Sequence, residues 1–317
     1  LTGLLRELHL FRFRVDLKNP ALRTMVLLML PLIAGIIFAK VRDVFNNQRI
    51  LSYIQTEGLM TANSFGRKLY TAIGWLVPYA ISIAMFPFFC ELVDRKDHRQ
   101  LGDILTKSGR MLLAVFIPFS MACLVFSYPL TSLLFEGRKF DPQMVRWTAA
   151  AMACYTLVLP AFALEYLLMQ AFFANRKMVS VTVAGIVTSL FSILVSYAGI
   201  RYFGARGMHA LAVIALGFVA SRTLKTGVLI AILRPKVPIF PLFETTSLVL
   251  RAVLTGALAA GLCYVCDVVF AEYVGGGSGK VMVLLRLLAN AGGSTAGFLA
   301  GTWLFRLREP VEMAEWA

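Results

Sequence analysis

The chain has 317 residues, 59% of them hydrophobic and only 15% charged, a balance outside the range of a soluble globular domain. Its formal net charge of +14 invites a nucleic-acid reading, but the basic residues gather in short segments between apolar runs, and no RNA- or DNA-binding motif accompanies them. What remains is an integral membrane protein with several spans, because a bilayer core about 30 Å thick takes roughly 20 apolar residues per helix and such runs recur along the chain.

In chain order, "LTGLLRELHLFRFRVDLKNP" lacks the apolar core and cleavage site of a signal peptide, and the chain opens on Leu1; residues 1–21 are expected to be a lead-in within a longer protein. Eight spans are predicted, at about 22–45, 60–90, 110–135, 145–174, 178–200, 207–233, 246–271 and 281–305. The expected fold class is all-α, a polytopic transmembrane helix bundle. Lys and Arg are retained on the cytoplasmic side, and the connections that contain Arg95, Lys96, Arg176, Lys177, Arg234 and Lys236 fall on the side of the first residues. That bias places both ends of the segment inside, although "FEGRKFD" adds two cations to the outer side.

The first two spans end and begin in polar residues, Asn46, Asn47 and Asn63, near the outer half. The second contains "SFGRKLYTAIGWLVPYAISIAMFPFF", with Arg67 and Lys68 about seven residues in, roughly 10 Å below the outer end. Adjacent helix positions point about 100° apart. Either both cations snorkel to the interface, or one faces a cavity while the other reaches outward. The next connection, "ELVDRKDHRQLGDILTKSGR", has Leu101, Ile104 and Leu105 at helical spacing, as in a short amphipathic helix in the headgroup region or in a solvated linker.

Glu165, in "PAFALEYLLMQAFF", is a charge within the fourth span, suited to proton or cation coupling or to an ion pair with a neighbouring helix. Arg222 and Lys225, three residues apart on one helical face, read as a guide for an anionic lipid or, in preference, as anchors near the inner interface. Prolines 31, 78, 87, 118, 129 and 160 lie within or near spans, where neighbouring groups must satisfy the freed backbone. Gly293, Gly297 and Gly301 in the last span, and Gly256 with Ala257, Ala260 and Gly261 in the seventh, allow close helix contact.

Several chemical motifs fail. "VGGGSGKV" has Val274 in place of the first P-loop glycine and Val281 after its lysine, so it reads as a flexible outer loop. His9, His98 and His209 are too scattered to hold a metal, and Cys263 and Cys266 read as core residues rather than a metal or redox pair. No catalytic arrangement emerges, and no enzyme is expected.

The order of several stretches resembles a known family, the lipid II flippases of the MurJ/MviN type within the multidrug/oligosaccharidyl-lipid/polysaccharide exporter superfamily. The resemblance begins at "NPALRTMVLLMLPLIAG" and continues through "EGLMTANSFGRKLYTAIGWLVPYAISIAMFPFF", with Gly58, Lys68, Leu69 and Pro87 at the family's positions. "YPLTSLLFEGRKFD" and "LLMQAFFANRKM", with Phe173 in place of a tyrosine, come next in the family's order. The resemblance implies helices seven to fourteen of a fourteen-helix flippase. Residues 22–240 would form the C-terminal lobe, 241–306 two additional helices and 307–317 a cytoplasmic tail. The family's eighth-helix cavity arginine falls on Lys68, or on Arg67 with a one-residue shift. Of the polar residues expected to hold a coupling cation, Asn46 is a match, while Ser192 and Ser196 stand where stronger ligands occur.

The implied function is movement of a lipid-linked peptidoglycan precursor, lipid II, across the bacterial inner membrane by alternating access. Lys68, Arg67 and Asn63 would bind the substrate, and Glu165 and Asn46 would serve coupling to protons, sodium or the membrane potential, with no cofactor. The missing N-terminal half, membrane lipids and other cell-wall synthesis proteins are the expected partners. The alternatives are export of another polyprenyl-linked glycan or of amphipathic drugs, and a non-transporting scaffold of wall synthesis.

Overall fold

A computed structural model describes residues 20–50, 54, 56–135, 140–202, 204–273, 280–307 and 309. The lead-in, the glycine-rich 274–279 stretch, most of "FEGRKFD" and most of the tail lie outside the described residues. The rest is a bundle of long helices. Helix α1 spans Pro20–Val44 and runs on into a π-helical stretch, Phe45–Ile50. It is followed by α2 Leu59–Asp94, α3 His98–Phe135, α4 Pro142–Thr156, α5 Leu159–Ala174 and α6 Met178–Arg201. Helices α7 Gly207–Leu233, α8 Leu242–Tyr273 and α9 Lys280–Leu304 complete it.

Seven of the eight predicted spans each fall on one helix, and the remaining one, 145–174, falls on the pair α4 and α5. Helices α1, α3, α6, α7, α8 and α9 are individually long and apolar enough to cross a bilayer, and α4 with α5 makes a seventh span if the pair is counted as one. The eighth rod is α2, at 36 residues. The predicted continuous span at 145–174 is broken, with a 46° bend between α4 and α5. Pro160 sits in the first turn of α5, where its missing N–H costs nothing to that helix but cannot bond back into α4.

The 91–110 connection, read as a short interfacial helix or a solvated linker, is neither. Helix α2 ends at Asp94, the chain reverses through Lys96 at φ 57°, and Asp97 Oδ1 accepts the Gln100 amide at 2.9 Å to cap a helix that runs unbroken to Phe135. Leu101 and Leu105 are fully buried in the core, because the 234–241 connection folds back over them.

The core is built where α2, α3, α4, α5 and α7 meet, around Phe89, Leu101, Leu105, Leu167, Leu168 and Phe172. Helix α1 packs along α6, and its Met25, Leu27, Ile36 and Ile37 remain exposed. In a bilayer such residues face lipid or a further helix. Hydroxyls take up carbonyls near the helix prolines: Thr182 Oγ1 donates to Pro31 O at 2.9 Å and Ser82 Oγ to Pro78 O at 2.6 Å.

Helix α8 is held between α3 and α9. A Cβ at Gly256 would meet Pro118 and Met121 of α3, and one at Gly297 would lie 2.7 Å from the Ala259 Cα. The Gly293, Gly297 and Gly301 face expected from the sequence is thus the surface by which α9 meets α8, whereas of the face expected in α8 Gly256 packs on α3 and Ala257 and Gly261 are exposed. Asp267 of α8 adds a polar clamp, accepting from Arg286 Nε and Nη2 at 2.6 Å and from Asn290 Nδ2 at 2.7 Å.

Candidate functional site

Helices α1, α2, α5, α6 and α7 enclose a cavity of about 500 Å³. Its charged wall is made by residues from four of them. Helix α1 contributes Arg42 and carries the adjacent Asp43, α2 contributes Arg67, α5 contributes Glu165, and α7 contributes Arg222 and Lys225. The opposite wall is apolar, with Leu32, Ile36, Met169 and Phe173, and α6 adds the hydroxyls of Thr182, Thr188 and Ser189.

The charges form two groups. Asp43 accepts from Arg42 Nε and Nη2 at 3.0 and 2.7 Å, and from Arg67 Nη2 at 2.7 Å. Glu165, 3% exposed, accepts from Arg222 Nη1 at 2.6 and 2.9 Å and from Lys225 Nζ at 2.6 Å. Between the groups stands Phe218 of α7. The guanidinium carbons of Arg42, Arg67 and Arg222 lie 4.9, 5.2 and 5.3 Å from its ring centroid. The ring's negative faces attract all three cations while its bulk keeps them apart.

Four cations against two carboxylates leave an excess of two positive charges at this cavity. Burying unpaired charge is costly, so each carboxylate holds the cations nearest to it. Arginine forks and a lysine point charge are the side chains suited to grip phosphate oxygens. Among the described residues, no group of three or more His, Cys, Asp or Glu could hold a metal ion.

Arg67 and Glu165, both singled out in the sequence, are brought to this one cavity. Lys68 is not among its lining residues. It is exposed on α2, with Nζ 5.1 Å from the Phe65 ring centroid, so the two adjacent cations do point in different directions. Asn63 is buried one turn away, donating to Asn47 Oδ1 at 2.6 Å and accepting from the Tyr155 hydroxyl at 3.1 Å. Tyr155 in turn stacks on Tyr70, which lines the cavity. Asn46 is buried with Oδ1 unpartnered, as are the hydroxyls of Ser192 and Ser196.

The structure corrects the reading of Arg222 and Lys225 as interface anchors. Both are bonded to Glu165, and Lys225 is only 8% exposed. Arg42, Asp43 and Phe218 were not legible as site residues. Charges of opposite sign in two separate apolar spans, Glu165 against Arg222 and Lys225, are the signal that could have found the second group.

In class, then, this is a multi-pass helical membrane bundle that encloses a strongly charged cavity. The chain belongs to the family described as "Lipid II flippase MurJ", whose model matches residues 1–284. It is 26% identical over 154 residues to a probable lipid II flippase MurJ of Rickettsia prowazekii, a match covering 49% of this chain and 29% of that protein. It is 21% identical over 209 residues to the corresponding protein of Treponema pallidum, covering 63% of this chain and 39% of that one. Its fold is similar to a solved lipid II flippase MurJ in an inward closed conformation, with a TM-score of 0.67 and 15% identity over 96% of this chain and 59% of that one. A transporter of the MOP superfamily from Pyrococcus furiosus is also similar, with a TM-score of 0.50 and 12% identity over 91% of this chain and 66% of that one. The chain thus spans about three fifths of the length of the solved flippase, and its matched stretches cover still less of the two curated relatives.

Proposed function

We propose that this chain is the C-terminal part of a lipid II flippase of the bacterial inner membrane, with residues 22–240 as one lobe, 241–306 as two additional helices and both ends cytoplasmic. The observation that carries this reading is the excess of two positive charges at the cavity of a chain in the MurJ family. A lipid-linked diphosphate diester carries two negative charges, which would balance it.

In this mechanism the headgroup approaches from the cytoplasmic leaflet and its diphosphate competes with Asp43 for Arg42 and Arg67, and with Glu165 for Arg222 and Lys225. Lys68, on the outer face of α2, meets the headgroup from the side of the missing lobe. Asn63, through Tyr155 and Tyr70, sets the position of the wall that Arg67 stands on. The two lobes then rock so that the headgroup is released outside while its tail stays in lipid. Proton uptake at Glu165 would free the same two cations, and Asn46, with its unpartnered carbonyl oxygen, is the candidate ligand for a coupling sodium ion. The work is transport rather than catalysis.

The test is complementation of a flippase-depleted bacterium by the full-length protein, with surface exposure of lipid II measured in parallel. Replacing Arg42 and Arg67 together by glutamine is expected to abolish growth and exposure at unchanged protein level. Normal exposure of lipid II by that variant would overturn the reading.

A further inference from the structure

Phe218 of α7 is a side chain that the two charged groups share. Arg42 and Arg67 belong to the Asp43 group and Arg222 to the Glu165 group, and all three guanidinium carbons lie within 5.3 Å of the one ring centroid. They arrive from three different helices, α1, α2 and α7. The ring itself is 3% exposed and lines the cavity.

Its position is firmly set. Tyr155 meets it edge to face with centroids 5.7 Å apart, and the Tyr70 ring lies at 6.2 Å. Tyr155 is in turn tied by its hydroxyl to Asn63. Helix α7 is pinned to two neighbours just beyond this point: Ser221 Oγ donates to Thr188 O of α6, and Thr226 Oγ1 to Ala161 O of α5 at 3.0 Å. Gly217, the preceding residue, lets α7 lie close on α6, since a Cβ there would stand 3.3 Å from Ser196 Oγ and from Val195 Cγ1.

Two kinds of acceptor hold these arginines, and they differ in what they leave free. A carboxylate takes N–H donors: Asp43 occupies Arg42 Nε and Nη2 and Arg67 Nη2, and Glu165 occupies Arg222 Nη1. An aromatic ring attracts the cation through its negative face and takes none of a guanidinium's N–H donors. Arg222 shows the result. It lines the cavity, and its Nε is buried with no hydrogen-bond partner among the described residues. A buried donor in that state costs free energy that a bound acceptor recovers. Three guanidiniums gathered at one point also repel one another, so without the ring's attraction the two groups would draw apart, each around its own carboxylate.

We propose that Phe218 is a positioning residue of the headgroup site, joining the two charged groups into one site that grips both phosphates of a diphosphate at once. The inference rests on the reading of the cavity as a headgroup site. A single phosphate needs only one of the groups, whereas a diphosphate gains from the second group only while the ring keeps it within reach. Phe218 thereby sets the preference for two linked phosphates over one.

The test replaces Phe218 in the full-length protein with phenylalanines carrying one, two and three ring fluorines, which keep the ring's shape while draining negative charge from its faces. Dissociation constants are measured in detergent for a polyprenyl diphosphate and for the monophosphate of the same chain length. Their ratio is the readout, because a loss of folded protein lowers both bindings equally and leaves the ratio unchanged. The preference for the diphosphate is expected to shrink with each fluorine, about fivefold by the third, and Phe218→Leu is expected to reduce it at least as far. A ratio that stays constant along the series would overturn the role of Phe218. Unmodified protein with no affinity for the diphosphate would overturn the headgroup reading, and this role with it.

Discussion

Arg67 of α2 and Asp43 of α1 meet at 2.7 Å between Nη2 and Oδ2, each with about a quarter of its side chain exposed. Asp43 is also bonded by its neighbour Arg42, which is 3% exposed. A carboxylate shared by two cations from different helices fixes the C-terminal end of α1, a helix whose other main support is α6.

If this contact holds α1 in place, Asp43→Asn and Arg67→Gln will not act additively. A double-mutant cycle on melting of the purified protein is expected to give a coupling of about 1–3 kcal/mol, the range for neighbours in one charged network. Additive effects would mean that the pair is incidental.

Glu165→Gln leaves Arg222 and Lys225 without their carboxylate in a buried site. Breaking one side of such a cluster costs about 3–5 kcal/mol, whereas replacing the whole cluster by well-packed apolar residues is often neutral. Glu165→Gln is therefore expected to melt well below the parent, and the triple variant Glu165→Leu, Arg222→Met, Lys225→Met to recover much of the loss. Circular dichroism melts of the two variants separate these outcomes, and the triple variant is expected to be inactive in lipid II exposure.

Lys68 and Arg67 are adjacent but differ in surroundings. Lys68→Ala removes an exposed side chain and is expected to change stability by less than about 0.5 kcal/mol, as exposed substitutions do. Arg67→Ala strips a partner from Asp43 and a cation from the Phe218 ring, and is expected to cost more. Equal melting temperatures for the two variants would contradict the difference in their burial.

Gly297 lies against the Ala259 backbone, with no room for a side chain. Gly297→Leu is expected to force α8 and α9 apart at a cost of about 1–3 kcal/mol. Gly292→Leu, on the same helix but with open space around its Cβ position, serves as the control. Protease sensitivity of the 274–279 connection in the two variants is the measurement, and cleavage should rise in the first alone.

The helices were readable because a lipid environment demands long apolar runs, and nothing shorter or more polar can cross it. Glu165 and Arg67 were readable as candidates for the same reason, since a charge inside such a run is conspicuous. Their partners were not. Hydrophobic periodicity describes one helix at a time, while Glu165 is bonded to residues 57 and 60 positions away. Arg42 and Asp43 were hidden differently: they fall at the end of an apolar run and look like loop charges, but the helix continues past them to Ile50. The break at Leu157 was hidden because Pro160 lies in a stretch whose composition is apolar on both sides.

That continuation past Val44 has an unusual winding. A π-helical turn takes up about one residue more than an α-helical turn, so Phe45–Ile50 hold a local insertion relative to an ordinary helix. Deleting a single residue there would let the segment relax to normal winding and leave the residues on either side of it nearly in register, whereas the same deletion inside α1 or α2 would rotate everything beyond it by about 100°. The change would be local, falling on Asn47 within the stretch and on the hydrogen bond it accepts from Asn63. The spare residue therefore makes this stretch a place where the chain can lose one position without turning a helix face, and shortening it should be better tolerated than shortening the α-helices it joins.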